Sequence, residues 1–548
     1  MDDDERAPLL QTPVNQAASE SLRSNRSACS STSEALSSQS VRSPFHYPVG
    51  EQGRVLSDPD LNAAATYSRY RYYNKLVHPA TQLLAIPDHV VPAYFLVPFF
   101  NTEAGGEQSS LVTIFAIWNT MMGTSLLSMP WAISQAGFAT GTLLILAIGG
   151  LCLYTAFRVL DSTRLAGPPG GGPVEFSDVC RHLLGPWGER LAMAFSLLPL
   201  LGACVVFWVL MATFLSGTAF FLHGGWAGLL SPDFSAEKSG NVGNLVPGED
   251  LICRHASNGT LGVELSPSSV LESKYTMPLA LVVLLFPVIN LKSPSFFYKF
   301  NALGTVSVFY LLIYILINAF TWGINVDFVD ETSTSYVPLF RTTFPALTGV
   351  LCLSFFIHNC VISMMRNQKN PEHNARDLSV AFGLVITTYL LIAIPFYISF
   401  PLAKHCIEDN LLNNFSNHNV MAFVTRIFLL VQYTTLFPMI TYLLRVQFMH
   451  WVYRLVYPGL KQVMALNAVV VVMCVLFAIF LPQIGTILRF CGALSGLVYI
   501  FTLPCIIYMV AMRGKLTACS MVFHSFIIVL GLANFASQFL LQYLESLA

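Results

Sequence analysis

The stretch Trp118-Asn119-Thr120-Met121-Met122-Gly123-Thr124-Ser125, with Pro130 close behind, decides how the chain is read. It sits inside an apolar run, 111–136, that is long enough for a membrane helix. Asn, Thr, Gly, Thr and Ser at bilayer depth carry polar groups that hydrocarbon cannot satisfy. Gly123 between hydroxyl residues also lets a helix unwind. An unwound segment exposes carbonyls for a cation and amide donors for a carboxylate. The plainer alternative is small residues packing helix on helix. It accounts for Gly123 but poorly for Asn119, so a small-molecule site inside a span is expected here.

Working outward, eleven apolar spans follow one another: 111–136, 138–160, 190–222, 276–291, 302–324, 345–365, 378–401, 420–442, 464–482, 485–511 and 517–545. Each is near the ~20 residues that cross ~30 Å of hydrocarbon. The chain of 548 residues is 54% hydrophobic and 11% charged, against roughly 25% charged in soluble domains. Such a chain cannot hide its apolar residues in one water-soluble core. The expected fold class is an all-α polytopic membrane protein of eleven transmembrane helices. Net charge is −1, which gives no reason to expect nucleic acid.

No apolar leader precedes the first span, so the N-terminus is expected in the cytosol and, after eleven spans, the C-terminus on the far, lumenal side. On that topology the cytosolic loops hold fourteen Lys and Arg against five opposite, in line with the positive-inside bias. The count places Arg445 in a cytosolic loop. The sequons at Asn258 and Asn414 both fall in non-cytosolic loops and are expected to carry glycans. A third sequon at Asn25 falls in the cytosolic tail, so the motif alone is weak. Of twelve cysteines only Cys253 and Cys406 lie on the non-cytosolic, oxidising side. They are expected to pair, the alternative being two free thiols.

The sixth span resembles the first in character. Pro345, Thr348 and Gly349 lie near its start, and Ser354-Phe355-Phe356-Ile357-His358-Asn359-Cys360 near its end. Irregular helices at matching places in two halves point to an inverted-repeat transporter; a polar pair at the membrane face is the alternative for His358 and Asn359. The eighth span holds Gln432, Tyr433, Thr434 and Thr435. Hydroxyls there suit a sodium shell, since hard cations take oxygen ligands, or else bond back to their own helix. His524 in the last span is either a proton switch or a satisfied interhelical donor. No Asp or Glu lies well inside a span. That favours zwitterionic amino acids, or an arginine whose guanidinium meets carbonyls, over a proton pump with a carboxylate relay. No metal-ligand cluster, P-loop or nucleophile–base spacing is visible, so an enzyme is not expected.

Residues 1–109 form a tail expected in the cytosol and largely disordered. From Ser19 to Ser43 eleven of 25 residues are serine, too little apolar surface to offset ordering entropy. Glu5, Leu9 and Leu10 fit an acidic dileucine sorting signal. The aromatic and proline-rich stretch 67–92 looks like a peptide that orders on a partner, with Tyr70, Tyr73, Leu76, Pro87 and Pro92 as anchors. The alternative is a tether that packs on, or plugs, its own membrane domain, 110–548.

The string from Trp118 to Ser125, continued by Leu126-Leu127-Ser128-Met129-Pro130, resembles the opening helix of the sodium-coupled neutral amino acid transporter family, within the amino acid, polyamine and organocation superfamily. Together with the 67–92 tail it is most similar to the lysosomal, arginine-sensing branch. The resemblance implies a leucine-transporter-like core of two inverted five-helix repeats plus one extra helix. It implies sodium-coupled symport and arginine-stimulated export of essential amino acids, with arginine, leucine and glutamine-like substrates, from lysosomes and late endosomes. It also implies a tail that signals through Rag GTPases and the Ragulator scaffold to the TOR kinase complex. Carried to matching positions, Thr120, Met121, Met122, Gly123, Thr124 and Ser125 would contact arginine, largely through backbone. Asn119 and Thr124 would hold sodium, with Thr434 and His524 as further candidates. A pure receptor on the same fold is the alternative.

Overall fold

The computed structural model describes residues 109–165, 175–230, 251–253, 275–290, 302–366, 368–417, 419–453 and 458–547. Glu5, Leu9, Leu10, Tyr70, Tyr73, Leu76, Pro87, Pro92 and Asn258 lie outside them. The helices, in chain order, are α1 Ser110–Met121, α2 Ser125–Ala136, α3 Phe138–Leu165, α4 Phe176–Leu184, α5 Pro186–Leu230, α6 Thr276–Ile289, α7 Ala302–Trp322, α8 Pro345–Ser354, α9 Val361–Arg366, α10 Asn374–Ser399, α11 Val420–Tyr453, α12 Leu460–Phe480, α13 Ile484–Gly496, α14 Leu503–Ala511 and α15 Ala518–Leu547. A π-helical turn, Leu497–Thr502, joins α13 to α14. Among the described residues there are two isolated β-bridges and no strand.

Among the described residues, eight helices are long and apolar enough to cross a membrane. The pair α1 and α2 passes the same test together although bent by 63°, and α6 and α8 are shorter apolar helices. Burial separates inner from outer elements. The most apolar stretches of α5 and of α13–α14 are 67% buried, whereas that of α15 is 17% buried. Val522, Phe526 and Val529 of α15 are exposed. A row of exposed large apolar residues on a continuous helix is stable only in lipid, so the chain is a polytopic membrane protein.

Close approach of backbone fixes the inner packing at two places. Gly137, at φ +87°, turns α2 into α3, and a Cβ there would meet the Leu339–Phe340 backbone at 2.8 Å. The 338–341 strap crosses this corner, with Phe138 N donating to Pro338 O at 2.9 Å and Arg341 N to Ala136 O at 2.9 Å. At the second place α8 crosses α13: a Cβ on Gly492 would lie 2.1 Å from Gly349 O. Only hydrogen at both positions lets these two helices touch.

Three cations that a loop count does not anticipate are built into helices. Arg489 of α13 is buried and pairs with Glu545 of α15 through two contacts of 2.8 and 2.9 Å. Arg426 of α11 donates to Leu412 O and Phe415 O at 2.9 Å each. Arg445, expected in a loop, is buried inside α11 and donates to Ile289 O where α6 ends. The reason is length: α11 runs for 34 residues, well past the ~20 that span the hydrocarbon.

The segment between α10 and α11 forms a cap at one end of the bundle. Cys253 and Cys406 are joined as a disulfide, with Cα atoms 4.9 Å apart. Asp409 accepts from Gly485 N at 2.9 Å and so caps the start of α13. Asn414 is fully buried; its amide donates to Cys406 O at 2.6 Å and to Ile252 O at 3.4 Å, and its oxygen accepts from Glu408 N at 3.0 Å. The nitrogen that a glycan at this sequon would need is thus engaged and out of solvent.

Lys404 is buried in the same cap, with Nζ donating to Phe400 O at 2.8 Å. Burial disfavours its charge and pulls its pKa down to about 7. Between that value and the ordinary lysine range the unfolded chain holds a proton that the folded cap has released, so stability rises with pH across this window. Below about 7 both states are protonated, and the cost of burying the charge is present in full. Lys404→Met is therefore expected to raise the melting midpoint of the purified protein by several degrees at pH 6, with the gain shrinking as the pH approaches 10. An equal gain at both pH values would contradict the buried amine.

Candidate functional site

The first candidate segment is broken where its polar residues cluster. Helix α1 stops at Met121 and α2 starts at Ser125. Met122, at φ −75° and ψ 66°, is the centre of an inverse γ-turn, closed by Gly123 N donating to Met121 O at 2.8 Å. This turn takes Gly123 N out of the helical ladder. The carbonyls of Asn119, Thr120 and Met122 and the N–H groups of Thr124 and Ser125 then have no backbone partner among the described residues. No side chain caps α2 at Thr124, so the positive end of that helix is open. Gly123 does not have a positive φ, and a Cβ there would meet nothing within 4 Å. Its lack of a side chain leaves space free beside the unwound backbone.

The second break lies between α8 and α9, over 355–360. The two breaks share one brace. Tyr389 of α10 is fully buried, and its hydroxyl lies 2.8 Å from Met121 O and 3.0 Å from Ser354 O. These are the last residues of α1 and α8. The single phenolic proton serves one carbonyl at a time, which ties both helix ends to one side chain. One residue earlier, Thr388 accepts from Trp118 Nε1 at 3.0 Å. Phe355 stacks near Phe382 and Tyr389, with centroids 6.0 and 5.4 Å away. His358 and Asn359 part company: His358 is buried against Thr155 Oγ1 of α3 at 2.9 Å, whereas Asn359 faces the space between the breaks.

That space is a cavity of about 220 Å³. At ~10–15 Å³ per water position it has room for an amino acid of ordinary size. Its wall takes Asn119 to Ser125 from the first break, Ser354, Phe356, Asn359 and Cys360 from the second, Pro199 to Phe207 positions of α5, and Gln432, Met439 and Gln447 of α11. Among the described residues that line it there is no Asp, Glu, Lys, Arg or His. An anionic group would be met by amides and hydroxyls at the start of α2, and a cationic group by carbonyls at the end of α1.

All six residues expected to contact a ligand, Thr120 to Ser125, line this cavity, as does Asn119, whose oxygen accepts from Thr305 of α7 at 3.5 Å. Thr434 and His524 do not line it. The Thr434 hydroxyl bonds back to Leu430 O at 2.7 Å. His524 meets Tyr154 OH at 2.9 Å and Ser520 O at 2.7 Å and stacks on Tyr508. Thr434 thus bonds back to its own helix, and His524 is held between α3 and its own helix. Tyr389, Ser196 and Gln447 escaped the sequence reading. Nothing local distinguishes Tyr389 from other tyrosines in apolar spans; only its two carbonyl partners, far away along the chain, reveal it.

Two broken helices facing one cavity in a bundle of apolar spans are an arrangement that small-molecule carriers use. Comparison with known proteins gives the class directly. The family model for the transmembrane amino acid transporter protein matches residues 106–223 and 260–541. The chain is 42% identical to neutral amino acid transporter 9 of Danio rerio, over 91% of this chain and 95% of that protein. It is 41% identical to neutral amino acid transporter 9 of Rattus norvegicus, over 88% and 90%. It is 39% identical to the sodium-coupled neutral amino acid transporter 9 homolog of Caenorhabditis elegans, over 86% and 80%. The chain belongs to the transmembrane amino acid transporter family.

Tyr389→Phe removes the donor shared by the two helix ends and leaves the buried Ser354 carbonyl without it, at a cost of about 1–3 kcal/mol. The expected result is a melting midpoint several degrees below that of the unaltered protein. An unchanged midpoint would show that this hydroxyl does not hold the breaks.

Proposed function

We propose that the chain carries amino acids by alternating access, coupled to sodium, with the cavity at the two helix breaks as the substrate site. The observation that carries this reading is the unpaired backbone at Asn119–Ser125 opening onto an uncharged cavity. The amides of Thr124 and Ser125 and the open end of α2 suit an α-carboxylate. The carbonyls of Asn119, Thr120 and Met122, with the Asn119 and Thr124 side chains, suit an α-ammonium group and a sodium ion. Thr434 and His524 are left out of that set. The names borne by the relatives, neutral amino acid transporter 9 and its sodium-coupled homolog, support substrate class and coupling ion.

Counting α1–α2 and α8–α9 as one span each, and α6 as a short one, gives the eleven spans of the sequence reading, with the broken spans first and sixth. This ordering suits two inverted five-helix repeats plus α15. On the positive-inside topology the disulfide-linked cap is lumenal. The cavity wall along α5 and the later part of α11 then faces the cytosol, which suits export from an acidic organelle into the cytosol. A lysosomal and late endosomal address, arginine stimulation, and signalling by the 1–109 tail to Rag GTPases, Ragulator and the TOR kinase complex rest on the resemblance of the tail and first-helix string. Substrate can bias a tail between plugging the mouth and binding a partner only by binding the two states differently. A receptor without flux is the second reading.

Transport in proteoliposomes separates them. Arginine, leucine and glutamine fluxes are expected to depend on a sodium gradient, and to fall at least tenfold in Asn119→Ala and Thr124→Trp. Binding without flux in the unaltered protein would favour the receptor. Full flux in both variants would remove the substrate from the first break.

A further inference from the structure

Outside Gly123 to Ser125, the polar side chains of the cavity wall are nearly all spoken for. The Thr120 hydroxyl donates to Ala116 O at 2.8 Å and that of Ser354 to Val350 O at 2.8 Å. The Asn359 amide donates to Ser196 at 3.5 Å, and Gln447 accepts from Ser196 at 3.2 Å. Gln432 is the exception. It is 4% exposed, it lines the cavity, and its carboxamide oxygen has no partner among the described residues. A buried carbonyl of this kind is costly unless something donates to it.

The position of this amide is not incidental to the packing. Gly304 of α7 lies directly behind it, where a Cβ would come within 2.8 Å of Gln432 Nε2. The next residue, Thr305, holds Asn119 on the opposite wall. One turn of α7 thus touches both Gln432 and the polar first break. The break offers backbone donors and acceptors, which serve the groups common to every amino acid. Gln432 offers a side-chain acceptor and, turned end for end, a donor.

We propose that Gln432 is a specificity-determining residue of this cavity: its carboxamide hydrogen-bonds the side chain of the bound amino acid and favours substrates ending in a guanidinium or carboxamide over aliphatic ones. This rests on the substrate reading given above. The carboxamide oxygen has almost no open surface as it stands, so a donor from bound arginine or glutamine reaches it once the carboxamide turns end for end. With leucine bound, the acceptor stays unpaired. A site that hydrogen-bonds a polar substrate group rejects analogues lacking it far better than an apolar wall does.

The test is competition binding on the full chain in lipid nanodiscs, with labelled arginine displaced by arginine, glutamine or leucine. Gln432→Leu is expected to weaken arginine and glutamine at least tenfold while leucine changes less than threefold. Gln432→Glu places an anion at the same point and is expected to tighten arginine and weaken glutamine; it keeps the proposal testable if the leucine variant does not fold. Equal loss for all three ligands, or no change for any, overturns the assignment of Gln432. Absence of amino acid binding by the unaltered protein overturns the substrate reading itself.

Discussion

A backbone hydrogen bond that is not made inside a bilayer has no water to replace it, and this constraint organises the whole molecule. The chain interrupts two spans, at 122–124 and 355–360. Every element nearby either uses or braces the groups set free. The inverse γ-turn at Met122 recovers one bond locally. Tyr389 reaches the ends of α1 and α8 together, and Thr388 fixes Trp118 one turn before the break. What is left unpaired lies on the cavity side, where a ligand can complete it.

The remaining architecture reads as support for that arrangement. Gly349 and Gly492 bring α8 against α13 at backbone distance. Thr348 and Gln538 tie the start of α8 to α15, with the Thr348 hydroxyl donating to Asn534 Oδ1 at 2.6 Å and the Gln538 amide to Pro345 O at 2.8 Å. At the capped end, Asp409 caps α13 while Trp131 of α2 sits against Gly485, where a Cβ would come within 2.7 Å of its ring. The disulfide and the buried Asn414 make the cap one unit.

The first break was legible in the sequence because it violates the rule for its surroundings: Asn119, Thr120, Gly123, Thr124 and Ser125 sit where an apolar helix is expected, and the helix is interrupted there. The second break was legible for the same reason in Ser354–Cys360, although the sequence left the roles of His358 and Asn359 open. Partnerships across the chain were not legible. Thr434 and His524 look like ligands by residue type, yet their polar atoms are satisfied by Leu430 O and by Tyr154 and Ser520. Asn414 fits a sequon, yet its amide holds the cap together. Arg489 escaped because its neutralising partner, Glu545, is 56 residues away along the chain. Residue type announces polar demand; only the fold shows where that demand is already met.

The central claim is that the amides and carbonyls freed between Asn119 and Ser125 are the groups that hold the substrate. Hydrogen–deuterium exchange on the full chain in nanodiscs, with and without arginine, tests it directly. The account predicts slower exchange at Gly123 to Ser125 when arginine is bound, with little change in the outer helix α15. Unchanged exchange across the first break, alongside protection elsewhere, would contradict it.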